Sequence, residues 1–239
     1  MMATRIPLVT LQQARTFGTG ARGARGLGWY QKYREGRGGR HLQGPQFDQT
    51  SREELAEINN TVFQFGSSWH YLDLQVGGKE IHRLELELAT AALPLTTLNF
   101  QLLSPQYKDT IVHRIEKKVG LCLGDVTGRD GKSGYCHHSL SPTGKLLETE
   151  PLVLSHLEGI VSMISPGVDK VDSRFLVCTA DVNHLDGKFV AFGRLRQESL
   201  DIVKDLEQTH YTTRGLPNVE MKIVGGGALG DDQEKEEAA

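Results

Sequence analysis

Apolar and polar positions alternate over short runs through the middle of this chain, whereas both flanks lack any such period. Ile81-His82-Arg83-Leu84-Glu85-Leu86-Glu87-Leu88 alternates after position 82, the period of a strand with one buried face. The run 71–76 precedes it, and Gly77-Gly78 between the two predicts a β-hairpin. Further runs predict strands over 110–115, 120–126, 159–164, 175–179, 189–195 and 218–224, the last with Val219, Met221 and Ile223 on one face. Helical spacing predicts 94–103, with Pro94 in the first turn, and 199–208, where Leu200, Val203 and Leu206 repeat. Ahead of these, Ser51-Arg52-Glu53-Glu54 forms a capping box, and Leu55, Ile58 and Val62 then predict a short amphipathic helix over 52–62. Periodicity alone gives a β-rich domain with two helices and a short helix before it.

Composition sharpens the flanks more than the body. With 239 residues and 38% hydrophobic content the chain can bury one sizeable core. No apolar run approaches the length of a membrane-spanning helix, so no transmembrane segment is expected. Three cysteines, Cys122, Cys136 and Cys178, without CxxC spacing, argue against a disulfide framework and a cysteine-rich zinc site. The net charge of −3 hides an asymmetry: before Glu35 stand Arg5, Arg15, Arg22, Arg25, Lys32 and Arg34 with no acid. An Arg-rich, acid-free start is the composition of a mitochondrial transit peptide, and Arg15-Thr16-Phe17 places the expected cleavage after Phe17, giving a leader over 1–17.

Glycine density over 18–47 prevents autonomous folding, so the stretch reads as an extended arm, and 18–68 as arm plus short helix. Within it Trp29, Tyr30, Lys32, Tyr33 and Arg34 interleave aromatics with cations, a composition suited to anchoring in a protein partner; RNA is the rival partner for this basic segment. The end, 226–239, is an acidic tail.

Six blocks in the body carry a resemblance. They are Pro94-x-Thr96-x-x-Asn99-Phe100, Tyr107-Lys108, Val112-His113-Arg114-Ile115 with Gly124-Asp125-Val126-Thr127, Gly159-x-x-Ser162-Met163, Ser173-x-Phe175 with Cys178-Thr179, and Leu185-Asp186-Gly187-Lys188-x-Val190-x-Phe192-Gly193. In this order they resemble the cyclophilins, over roughly Tyr71 to Val224. The resemblance implies a mainly β domain over 69–225, a closed eight-stranded antiparallel barrel capped by two helices, with the extended N-terminal arm added to it. It also implies isomerisation of the peptide bond before proline, whose rotation amide resonance slows with a barrier near ~20 kcal/mol. Arg114 stands where the family keeps the arginine that stabilises the twisted amide.

Around that arginine the chain departs from the family. Counting from Arg114, Val119 stands for the pocket phenylalanine, Gly120 for its neighbouring methionine and Cys122 for the backbone-binding glutamine. Counting from Ser162-Met163, Ile164-Ser165 replaces an Ala-Asn pair, Arg174 a second glutamine and Leu176 a second phenylalanine. His184 replaces a tryptophan, Phe189 a histidine, and only Arg114 and Leu185 match. Losing two aromatic walls removes apolar area worth about 25 cal/mol per Å², so weak proline binding and little turnover are expected.

Other motifs carry less. Gly18-x-Gly20-x-x-Gly23 has no preceding strand and so lacks the context of a dinucleotide site. Cys136-His137-His138 reads as a loop, and Gly131-Lys132-Ser133 matches a cyclophilin loop better than a phosphate loop, so neither metal nor cofactor is expected. The expectation is a matrix or matrix-facing, non-catalytic accessory subunit of a large mitochondrial assembly, with protein subunits as partners. A respiratory-chain or ATP-synthase complex stands ahead of the mitoribosome, because the body beyond residue 40 is acidic. Two alternatives stay open: an active mitochondrial prolyl isomerase, and a regulatory peptide-binding module.

Overall fold

The computed structural model describes residues 50–141, 146–167 and 169–230. The expected leader, the arm residues Trp29 to Arg34 and the acidic end from 231 lie outside these. Both sheets lie within residues 56–239.

The chain order is α1 (Arg52–Gln64), β1 (Ser68–Val76), β2 (Glu80–Leu88), α2 (Pro94–Leu103), β3 (Arg114–Glu116), β4 (Gly120–Leu123), β5 (Leu147–Glu148), β6 (Ile160–Met163), β7 (Lys170–Val171), β8 (Phe175–Cys178), β9 (Val190–Leu195), α3 (Gln197–His210) and β10 (Met221–Ala228). Single 3₁₀ turns occupy Ser104–Tyr107 and Asn183–Leu185. Eight strands form one antiparallel sheet in the order β10-β1-β2-β9-β6-β8-β4-β3. The closed barrel expected from the resemblance is not completed as a ladder: β10 and β3 are the two edges. The stretch before β3 spans between them instead, with an isolated bridge from Ile111 to Lys222 and bonds from Val112 N–H to the Met221 carbonyl (2.9 Å) and from Asp109 N–H to that of Ile223 (2.7 Å). Three α-helices accompany the sheet among the described residues, at the three places the sequence predicts.

The β1–β2 hairpin has the register the alternation implies, Leu72 opposite Leu84 and His70 opposite Leu86. Its three-residue turn, Gly77 to Lys79, takes positive φ at both Gly77 (57°) and Gly78 (72°), and Lys79 N–H closes it on the Val76 carbonyl at 3.1 Å. The inner face of the sheet meets α2 in an aromatic cluster, where Phe100 lies 5.4 Å from Tyr107, 5.4 Å from Phe175 and 5.2 Å from Phe192 between ring centroids. Glu150, from a distant loop, accepts the N–H groups of Leu95 (3.0 Å) and Thr96 (2.6 Å), satisfying the first turn of α2. In α3 the buried residues include Leu200, Val203 and Leu206, as the spacing predicts.

The capping box opens α1: Glu54 N–H donates to Ser51 Oγ (3.2 Å) and Ser51 N–H to Glu54 Oε2 (2.9 Å). The predicted apolar face is rotated, however. Ile58 is 41% exposed, while Asn59 and Phe63 are the buried positions. Asn59 turns inward because its amide both donates to and accepts from the Ser155 backbone, each bond 3.0 Å. Phe63 is covered by the Arg194 guanidinium at 4.4 Å from its ring. The small β5–β7 ladder, Leu147 opposite Val171, has no counterpart in the predicted strands.

Candidate peptide-binding groove

Strand register assembles the site. Arg114 on β3 lies opposite Cys122 on β4, Cys122 opposite Leu176 on β8, and Leu176 opposite Ser162 on β6. Residues opposite one another share a face, so this rung places Arg114, Cys122 and Leu176 on one surface. That surface borders a cleft of about 600 Å³. Its floor is apolar: buried Leu176, Cys178 and Val182 pack with partly buried Val119, Cys122, Ile164 and Leu185. Its rim is polar, with charged Arg114, Glu116, Asp130, Lys132 and Arg214 beside His184.

Arg114 is exposed and paired with Glu116 two residues along the same strand face. An exposed pair of this kind is worth roughly 0–1 kcal/mol, so an incoming peptide displaces it at little cost. The arginine is therefore available to a ligand. Burial pushes the Cys122 thiol up to about 12, which leaves it a neutral floor group rather than a nucleophile.

Arg174 also borders the cleft but is committed elsewhere. It is buried, donates to Asp172 from Nε (3.0 Å) and Nη2 (2.7 Å), and reaches the Gly131 carbonyl through Nη1 (2.8 Å). The loop carrying Gly131 is shaped by Asp125, whose carboxylate accepts N–H bonds from Thr127 (2.9 Å), Gly128 (3.0 Å) and Gly131 (2.8 Å). Burial alone would raise the Asp125 carboxyl, but these N–H donors outweigh it and hold the group below the usual carboxylate range. Gly131 is obligatory here, since its φ is 79° and a Cβ would sit 2.2 Å from His113 Cδ2. His113, pressed against that loop, is held below the ordinary imidazole value chiefly by burial.

Two expected groove residues do not border the cleft, Gly120 and Ser165. Gly120 is where β4 crosses tightly over β8: with φ 146°, a Cβ there would lie 1.9 Å from the Val177 carbonyl oxygen. Its lack of a side chain is thus a matter of strand approach. Ser165 turns into its own loop, where Oγ donates to the carbonyls of Gly167 and Lys170 (2.8 Å for the latter). Val119, Cys122, Ile164, Arg174, Leu176, His184 and Leu185 do come together around Arg114. Not anticipated were Glu116, legible in its i+2 spacing from Arg114, and the rim at Arg214-Gly215-Leu216, for which no local signal exists. Gly215 reaches the site because its carbonyl accepts from Ile115 N–H at 2.8 Å.

Beside the groove, His156 bridges Ser162 Oγ through Nε2 (2.8 Å) and Asp186 Oδ1 through Nδ1 (2.6 Å). The residue types are those of a hydrolytic triad, yet Ser162 and His156 are both fully buried and neither borders the cleft. The array instead ties the Leu185-Asp186 wall to β6. Cys136 is buried, and His137 Nδ1 is bonded to Ser139 Oγ at 2.7 Å. Among the described residues no group of three or more His, Cys, Asp or Glu is placed to hold a metal ion, and no helix is long and apolar enough to cross a membrane.

Comparison with known proteins adds to this geometry. Residues 71–227 match the family described as cyclophilin type peptidyl-prolyl cis-trans isomerase/CLD. Among curated proteins, "Peptidyl-prolyl cis-trans isomerase 9" of Caenorhabditis briggsae is 30% identical over 175 residues, which is 66% of this chain and 53% of that protein. The chain thus spans about half the length of that relative. With its matching span, strand order and arginine-bearing groove, this chain belongs to the cyclophilin family.

Proposed function

We propose that the chain is a non-catalytic cyclophilin-like accessory subunit of a large mitochondrial assembly. The observation that supports this most is the floor of the groove: Val119, Cys122 and Leu176 build it from short side chains around an otherwise accessible Arg114. A proline ring gripped by aliphatic in place of aromatic walls forfeits on the order of 1 kcal/mol per wall at about 25 cal/mol per Å². Electrostatic catalysis at a twisting amide depends on placing that amide against the arginine within a fraction of an ångström. The mitochondrial part of the reading rests on the acid-free cationic start and on the aromatic-basic arm.

An active isomerase is the second reading, favoured by Arg114 itself, held by an exposed pair with Glu116, and by the isomerase name of the relative. One experiment separates the two. The full chain is assayed for acceleration of Xaa-Pro isomerisation in a proline peptide, beside native purification from mitochondria with identification of co-migrating proteins. Negligible acceleration and a stable large complex are the expected results. Turnover like that of ordinary family members, abolished by Arg114→Ala, overturns the non-catalytic reading.

A further inference from the structure

A second cleft, of about 540 Å³, lies beyond the β3–β4 turn and is lined by Lys117, Lys118, Thr179, Lys204, Glu207 and Tyr211, among others. The turn separates it from the groove, since Glu116 and Val119 face the groove while Lys117 and Lys118 face this cleft. Its volume falls in the range of small-ligand sites.

Two features of its wall point to an anion. The first is charge: three lysines face one glutamate. Lys204 is neutralised by Glu158, and Glu207 is buried and accepts the Lys118 backbone N–H at 2.6 Å. The ammonium groups of Lys117 and Lys118 have no carboxylate partner among the described residues; Lys117 Nζ stands only over the Tyr211 ring, 6.0 Å from its centroid. The second is an orphaned donor. Thr179 is 7% exposed, borders the cleft, and its buried hydroxyl has no hydrogen-bond partner among the described residues. Buried hydroxyls are ordinarily satisfied, so one left open beside two unpaired cations implies an acceptor supplied from outside. Lys118 holds φ at 62°, a region that glycine occupies without strain, yet the position carries a long cationic side chain.

We propose that this cleft is a phosphate-monoester site, in which Lys117 and Lys118 supply the positive charge and Thr179 Oγ1 donates a hydrogen bond to a phosphoryl oxygen. A phosphate monoester offers near-dianionic charge and three acceptor oxygens, which two ammonium groups and a hydroxyl match better than a single carboxylate does. The phosphoryl group has two candidate sources, a free small-molecule phosphate or a phosphorylated serine of a protein.

The test uses the full chain, titrated calorimetrically with inorganic phosphate, with O-phosphoserine, with a phosphoserine peptide and with its glutamate counterpart, and followed by amide NMR. Saturable binding of a phosphate probe is expected, with resonances of Lys117, Lys118, Thr179 and Ala180 shifting. Binding of inorganic phosphate and O-phosphoserine identifies a free phosphate as ligand; binding restricted to the phosphopeptide identifies a phosphorylated protein. Lys118→Gly removes a cation while suiting the left-handed backbone, so it should keep or raise the melting temperature yet weaken binding about tenfold. Thr179→Val should weaken binding without unfolding the chain. No saturable binding of any phosphate probe, equal binding of the glutamate peptide, or unchanged affinity in both variants overturns the assignment.

Discussion

Phe175 and Leu176 are neighbours on β8, yet they face opposite sides of the sheet and belong to regions of opposite chemistry. Phe175 turns inward to the aromatic cluster with Phe100 and Tyr107, at 5.4 and 5.3 Å between ring centroids. Leu176 turns outward to the groove floor, where it packs with Cys178 and Val182. The inner face keeps its large rings, whereas the outer face carries aliphatic residues where the family resemblance implies aromatic ones. Because strand faces alternate, one face can lose its ligand-gripping chemistry while the other preserves the packing that specifies the fold. The residues that specify the fold and those that line the groove are therefore distinct even where they are adjacent in the chain.

The contrast breaks most visibly if the two faces prove equally important to stability. Phe175→Ala should cost about 3–5 kcal/mol in denaturant unfolding, the usual loss for a fully buried ring, whereas Val119→Ala on the groove wall should cost about 1 kcal/mol or less. Comparable losses would merge the two regions into one. A smaller effect concerns ligand grip: Val119→Phe should tighten a proline peptide roughly tenfold by calorimetry, with little change in unfolding. No gain in affinity would show that the floor is not what limits binding. Smaller again, Glu116→Gln should change peptide affinity less than about threefold, because an exposed ion pair is worth roughly 0–1 kcal/mol. A large gain would make that pair a gate over Arg114.

The least effect is on pH dependence. Burial lowers the folded-state values of His70, inside the sheet, and His113, beside the groove. The unfolded chain therefore takes up protons first, and their contribution, complete above about pH 6.5, declines as pH falls toward the lowered folded values. Asp125, held below the usual carboxylate range, adds stability that is present above about pH 4 and is lost as pH falls through its folded value. Urea titrations in a pH series should show two successive declines on acidification; a flat profile between neutrality and mild acid contradicts the burial of the histidines.

Much of this was legible in the sequence where the signal is local. Alternation with Gly77-Gly78 gave the hairpin, and α2 spans Pro94–Leu103, matching the predicted 94–103. The capping box and the α3 spacing likewise depend on residues a turn apart. Failures occurred where distant chain decides an orientation. Asn59 faces inward because of Ser155, and Arg174 is a clamp because of Asp172 and Gly131, so neither follows from its own neighbourhood. Counting along the chain named seven residues that line one cleft with Arg114, but Gly120 lies outside it, where its bare backbone answers to the Val177 carbonyl across the ladder.

The inward turn of Asn59 has a practical consequence for where this protein can be cut. The family match begins at residue 71, but β1 already pairs from Ser68, and α1 is fastened to the loop before β6 through Ser155. A fragment trimmed to the family boundary would strip three rungs from the hairpin, uncover the Arg194 and Glu87 pair now capped by Asn60 and Phe63, and leave the Ser155 backbone without its partners. The smallest faithful recombinant piece begins ahead of Ser51, so that the helix enters with its cap intact.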